Sequence, residues 1–321
     1  MSSTPTSTPS KYSPKLDPTV RLLLEGIEAL GGPAIETLPP AEARQLAIEG
    51  MKLVEGAREP LRSVQELRIP GPGGEIPIRV YTPEAPGPLP VLVYFHGGGW
   101  VVCNLDTHDV VCTAIAHRAG AVVVSVDYRL APEHKFPAAV VDCYAATAWV
   151  AANARQLGVD PKRISVGGDS AGGNLAAVVS IRSRDENGPA IRSQVMVYPV
   201  TDLSSFATPS YAEFAENHYL TKKEMEWFRD LYLRNAEDAR NPLASPLLAE
   251  NLRGLPPAVV ITAECDPLRD EGAAYAKRLE DAGVPVTYTC YAGMIHPFFS
   301  LSGVIPQAFE AIQQVAGAVA G

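Results

Sequence analysis

Ser170 stands in Gly168-Asp169-Ser170-Ala171-Gly172, between the apolar run Ile164-Ser165-Val166 and a second apolar stretch over residues 174–181. The first reads as the end of a strand and the second as a helix, so the serine falls on a strand-to-helix turn, the arrangement of a nucleophile elbow. Gly168 and Gly172 suit so tight a turn because side chains two residues to either side of the serine would collide. A serine hydroxyl is a poor nucleophile near neutral pH unless a base takes its proton and a carboxylate holds that base in one tautomer. Of the six histidines, His296, in Gly293-Met294-Ile295-His296-Pro297-Phe298, is best placed, just beyond the last expected strand. Asp266, in Cys265-Asp266-Pro267-Leu268-Arg269-Asp270-Glu271, follows another expected strand, although Asp before Pro would also serve as a helix N-cap. His96-Gly97-Gly98-Gly99-Trp100 follows a third, and a glycine run there lets backbone N–H groups converge on a developing oxyanion. Together these residue types can carry out acyl transfer through a covalent serine intermediate.

The elements that must position them alternate regularly. Residues 65–69 and 75–81, separated by Pro70-Gly71-Pro72-Gly73-Gly74, read as an antiparallel pair. Continuous apolar strands follow at 91–95, 121–126, 163–166, 194–198, 258–262 and 284–291, with helix-length segments between them. That pattern implies a mostly parallel, eight-stranded sheet covered on both faces. Ahead of it, Asp17 reads as an N-cap and Pro18 as a first-turn residue of a helix with Val20, Leu23, Leu24, Ile27 and Leu30 at helical spacing. A second helix is expected after Pro40, with Leu46, Met51 and Val54 on its apolar side. Residues 1–16, rich in Ser, Thr and Pro, offer little to bury and read as a disordered tail. The alternation breaks over residues 201–246, where Phe206, Tyr211, Phe214, Tyr219, Trp227, Phe228 and Tyr232 cluster and Thr221-Lys222-Lys223-Glu224 forms a capping box. This insertion leaves the sheet at its carboxyl edge, where a lid is expected.

A formal net charge of −9 over 321 residues, with no long run of like charges, excludes a basic footprint for nucleic acid or an anionic membrane. No apolar run is long enough to span a bilayer. Five widely spaced cysteines without a C-x-x-C pattern suggest reduced thiols in a cytoplasmic protein. Asp106, His108, Cys112 and His117 lie close together, but a solvated helix face explains them better than a metal site.

Taken together, the motifs resemble the hormone-sensitive-lipase-like family of carboxylesterases, the bacterial GDSAG type. The marks are His96-Gly97-Gly98-Gly99-Trp100, Asp127-Tyr128-Arg129-Leu130-Ala131-Pro132-Glu133-His134, the elbow extended through Gly173 and Asn174, Asp266-Pro267-Leu268-Arg269-Asp270, and His296. The resemblance covers nearly everything from about residue 65 onward. It implies an α/β-hydrolase core over 61–200 and 247–321, with a cap made from helices in 17–60 and the insertion 201–246. Ser170, Asp266 and His296 then match the catalytic triad in family order. Gly98, Gly99 and Ala171 match the oxyanion donors. His96, Gly97 and Asp169 are expected to support the motifs, with His96 tied to nearby backbone. The segment 128–137, with His134, is expected to be scaffold. Cys103 and Pro297 stand where the family more often has glycine. The resemblance further implies hydrolysis of small, neutral esters of short or medium acyl length, no cofactor and a homodimer, for which a paired edge strand would be a natural contact. An amidase or peptidase would share every catalytic residue, and a non-catalytic small-molecule binder would share the scaffold.

Overall fold

Three β-branched residues in succession, Val122 to Val124, favour extended backbone over helix, and burial on both sides makes the strand continuous in apolar character. In the computed structural model, which describes residues 11–321, eight such segments form one sheet. They are β1 (Ser63–Gly71), β2 (Gly74–Thr82), β3 (Leu89–Phe95), β4 (Val122–Val126), β5 (Val159–Asp169), β6 (Ser193–Val197), β7 (Ala258–Cys265) and β8 (Val286–Ile295). Their spatial order is β1-β2-β4-β3-β5-β6-β7-β8. Only β2 runs against the others; all neighbours from β4 to β8 are parallel. The chain steps from β3 outward to β4 and then returns to the far side of β3 as β5. The carboxyl ends at this reversal are where an open α/β sheet leaves a crevice for ligand.

Among the described residues ten α-helices surround the sheet: α1 (Pro18–Leu30), α2 (Pro40–Val54), α3 (Asp109–Ala119), α4 (Ala138–Ala152), α5 (Ala154–Leu157), α6 (Ala171–Asp185), α7 (Pro209–Glu213), α8 (Lys222–Tyr232), α9 (Arg269–Asp281) and α10 (Gln307–Ala320). The pleat sorts the core into two layers. Val91, Val93 and Phe95 of β3 belong to the layer that holds α4, α6 and α9, whereas Leu92 and Tyr94 belong to the layer that holds α3 and α10. Each fully buried valine or leucine contributes about 1.5–3 kcal/mol, so both layers hold the central strands, whose carboxyl ends carry the candidate chemistry.

Two features differ from expectation. Residues 1–10 of the expected tail lie outside the described residues, but residues 11–16 are packed: Tyr12 and Leu16 are buried, and the Ser13 N–H donates to His218 Nε2 at 3.2 Å. Two apolar side chains in an otherwise polar segment suffice to dock it. The first two helices bury less than their spacing suggested. In α1 only Val20 and Leu24 are buried, while Leu30 is 79% exposed, because the helix rests on its neighbours by one edge. In α2 the buried residues are Ala43 and Met51, with Leu46 exposed. In the insertion, by contrast, Phe206, Tyr211, Phe214, Phe228 and Tyr232 are buried and Tyr219 is not.

The elbow sets the tightest steric limit in the fold. A methyl group on Gly172 would fall 1.8 Å from the Phe95 carbonyl oxygen, whereas one on Gly26 in α1 would meet nothing within 4 Å. Gly172→Ala must push central-strand backbone and is expected to cost about 3 kcal/mol or more. Gly26→Ala is expected to gain roughly 0.5–1 kcal/mol. Urea unfolding of the two variants beside the wild type checks both signs.

Candidate active site

Ser170 sits between the last residue of β5 and the first of α6 with φ +55°. That region is costly for a residue bearing a Cβ, and it is imposed here by the strand ladder before it and the helix after it. The Ser170 N–H donates to Val197 O at 2.8 Å and fixes the turn against β6. Its side chain meets His296, which follows β8: Ser170 Oγ and His296 Nε2 are 3.0 Å apart. On the other side of the ring His296 Nδ1 lies 2.9 Å from Asp266 Oδ2. Asp266, just past β7, is fully buried, and its second oxygen accepts the Leu268 N–H at 2.8 Å. It therefore starts the turn into α9, as its position before Pro267 suggested, and also reaches the histidine. Residues from three strand ends, separated by 126 and 30 positions, form one chain of hydrogen bonds.

The glycine loop after β3 runs alongside. Gly98 and Gly99 have φ of +104° and +57°, and the Val101 and Val102 N–H groups both donate to Gly98 O. Ala171 is the first residue of α6, where a helix leaves its N–H without an intrahelical acceptor. The glycine loop and the start of α6 follow the carboxyl ends of the neighbouring strands β3 and β5. Asp169 joins them. Its buried carboxylate accepts the Tyr94 hydroxyl at 2.6 Å and the Gly97 N–H at 3.1 Å, and His108 Nε2 lies 3.2 Å from Oδ1. Burial alone would raise this carboxyl, but His108 and the Tyr94 hydroxyl reverse the shift and hold it below the usual carboxylate value. His96 Nδ1–H donates to Gly97 O at 2.7 Å, and burial pushes the ring down to about 3, so it stays neutral. Cys103 has φ +69°, which explains why a glycine would suit that position.

The expected solvated face at Asp106, His108, Cys112 and His117 is a correction. His108 and Cys112 are buried, and His108 faces Asp169. Among the described residues, no group of three or more His, Cys, Asp or Glu is arranged to hold a metal ion. The histidine's contact with a residue 61 positions away left no local signal in the sequence. Glu271 escaped notice for the same reason. It is buried in α9 and accepts the Thr201 N–H at 2.6 Å, which ties the root of the insertion to the loop bearing Asp266. Asn174 adds two bonds from α6 to that insertion, to Val200 O and Ala244 O, both at 2.9 Å. In the 128–137 segment, Ala131 N–H donates to Trp100 O, and Arg44 of α2 binds Val101 O, Ala131 O and Glu133.

With this geometry in view, residues 92–300 match the family model described as alpha/beta hydrolase fold. The chain belongs to the α/β-hydrolase family. Within it, the chain is 44% identical over 295 residues to carboxylic ester hydrolase LipN of Mycobacterium tuberculosis, covering 89% of this chain and 77% of that one. It is 37% identical to ethyl acetate hydrolase of Pseudomonas putida, covering 95% and 98%. The solved structure of a thermostable esterase from Pseudomonas putida ECU1011 superposes with a TM-score of 0.93 at 41% identity, covering 97% and 98%. A hyperthermophilic esterase from Pyrobaculum calidifontis gives 0.91 at 43%, covering 95% and 98%.

In this α/β-hydrolase the insertion reaches His296. Tyr219 makes a parallel backbone bridge to His296, and the capping box at Thr221 and Glu224 is formed in both directions. Burial pushes the Glu224 carboxyl up from 4.5 to about 7, against the opposing pull of the Thr221 N–H, with Glu36 raising it further and His296 lowering it. A carboxyl raised on folding contributes stability that is whole below its unfolded value and lost as pH climbs through its folded one. Wild-type stability should therefore fall between pH 4.5 and about 7 relative to Glu224→Gln, which can still cap the helix. Urea midpoints at pH 5 and pH 8 check this: the gap should move in favour of the variant at the higher pH.

Proposed function

We propose that this carboxylic ester hydrolase works by two-step acyl transfer on small, neutral esters of short- or medium-chain acids. The observation that carries the reading is the unbroken hydrogen-bond chain from Asp266 through His296 to Ser170. Ser170 Oγ attacks the carbonyl carbon as its proton passes to His296 Nε2, while Asp266 fixes the ring tautomer and stabilises the imidazolium. The N–H groups of Gly98, Gly99 and Ala171 donate to the oxyanion, and the positive end of α6 adds to the attraction. His96, Gly97 and Asp169 support that loop from beneath. Collapse of the tetrahedral intermediate breaks the bond to the alcohol oxygen, which takes the proton from His296 and leaves the acyl group on Ser170. Water then attacks with His296 as base, and the second collapse frees the acid and restores the serine. Every atom in the cycle comes from ester, water and these side chains, so the scheme needs no cofactor.

The helices in 17–60 and the insertion 201–246 act in this proposal as the cap that limits acyl length. The name of the Pseudomonas putida relative, ethyl acetate hydrolase, supports a short acyl group. All five cysteines are free, which suits a reducing, cytoplasmic compartment. None of the described helices is long and apolar enough to cross a membrane. A second copy would meet the sheet at β8, an edge strand with Thr287, Tyr288 and Cys290 exposed.

Hydrolysis of p-nitrophenyl esters from acetate to palmitate, with a matched anilide beside them, tests the reading. Activity should peak at short or medium chains and exceed that on the anilide. Asp266→Asn should lower kcat by about 10⁴-fold and Ser170→Ala by at least as much. A folded Ser170→Ala variant with wild-type turnover would sink the assignment.

A further inference from the structure

The oxyanion loop contains a backbone run that its own sequence does not favour. Gly98, Gly99 and Trp100 all have positive φ, at +104°, +57° and +61°. The two glycines accept this freely, but a bulky residue such as tryptophan is strained there and stays only when its surroundings force it. Three contacts supply that force. The Trp100 carbonyl accepts the Ala131 N–H at 2.9 Å. The Tyr232 ring lies flat on the Trp100 indole, with centroids 4.1 Å apart and planes 4° from parallel. The Phe228 ring is pressed on the neighbouring glycine, since a methyl group on Gly99 would fall 2.2 Å from it.

Phe228 and Tyr232 are one turn apart on α8, and α8 is itself pinned at both ends. Its C-terminal carbonyls are held by the Phe136 N–H to Tyr232 O at 2.8 Å and by Lys135 Nζ to Leu233 O at 2.7 Å. Ahead of its first turn, Tyr219 bridges to His296. The helix therefore spans the candidate apparatus from the histidine to the oxyanion loop.

We propose that Tyr232 is a positioning residue: by stacking on Trp100 it holds the left-handed run Gly98–Trp100 so that the Gly98 and Gly99 N–H groups aim at the oxyanion, which makes α8 a fixed part of the catalytic apparatus. This rests on the oxyanion role given above to Gly98 and Gly99. Tyr232 is fully buried behind Trp100, and its hydroxyl has no hydrogen-bond partner among the described residues, so the ring face is the part that acts. In this proposal the expected lid motion does not include α8, which is held at Tyr232 and Leu233 by Phe136 and Lys135.

Tyr232→Leu and Tyr232→Phe separate positioning from mere packing. Tyr232→Phe keeps the stack and should match the wild type within about 2-fold in kcat and KM on p-nitrophenyl butyrate. Tyr232→Leu should lower kcat by about 10- to 100-fold, the scale of a displacement of order 1 Å in an active site, with KM nearly unchanged. Amide hydrogen exchange should quicken over residues 96–103 in Tyr232→Leu and not in Tyr232→Phe. A folded Tyr232→Leu enzyme with wild-type kcat, equal losses in both variants, or unchanged exchange over 96–103 would overturn the proposal. The exchange measurement does not depend on turnover. If the wild type hydrolysed no ester, the proposed function would fail while the exchange result still decided whether Tyr232 holds the loop.

Discussion

Ser170 occupies a backbone conformation that serine does not choose, and the surrounding fold is built so that no alternative is open to it. A φ of +55° costs of order 1–3 kcal/mol at a residue with a side chain. The cost is carried by β5 on one side, paired to both β3 and β6, and by α6 on the other. Gly168 and Gly172 let the turn close against the Phe95 carbonyl, where any side chain would collide. Relaxing the serine would unseat the centre of the sheet, whose buried valines outweigh the strain many times over. That fixed point is what lets His296 and Asp266, arriving from other strand ends, meet it at hydrogen-bond distance.

The same logic governs the groups around the serine. Asp169 places a buried carboxylate next to Ser170, an arrangement that would be prohibitive without donors. Tyr94 from β3, Gly97 from the glycine loop and His108 from before α3 supply them, so one side chain binds the elbow to the loop beside it. Glu271 repeats the device at the root of the insertion, taking the Thr201 N–H and keeping the insertion in register with the turn that carries Asp266. Burial pushes the Glu271 carboxyl well above its usual range, against the opposing pull of the Thr201 and Asp202 N–H groups. Loops in this molecule are held by polar bonds to strand ends, and the aromatic residues of the insertion close over them.

Much of this was legible because the elements concerned follow local rules. The strands announce themselves by runs such as Val122 to Val124, the α1 start by Asp17 before Pro18, and the α8 start by Thr221 and Glu224. The elbow and the glycine loop are visible because their backbone geometry demands glycine at fixed spacing. What stayed hidden depends on pairs distant in sequence. His108 reads as one polar residue on a helix start until the sheet brings β5 beside β3 and places Asp169 against it. Tyr12 and Leu16 look too sparse to order a segment, yet each finds a prepared apolar site. Leu30, at helical spacing, looks buried and is exposed, since periodicity says where a face lies and not whether anything covers it.

The central claim is that Ser170 is the one activated nucleophile. A fluorophosphonate probe, which phosphonylates an activated serine and releases fluoride, tests it directly when the labelled protein is digested and its peptides are weighed. The account predicts a single adduct, on the peptide containing Ser170, formed in step with loss of ester hydrolysis and strongly slowed in His296→Ala. Loss of hydrolysis with the adduct on another residue, or full hydrolysis retained by protein completely labelled at Ser170, would contradict it.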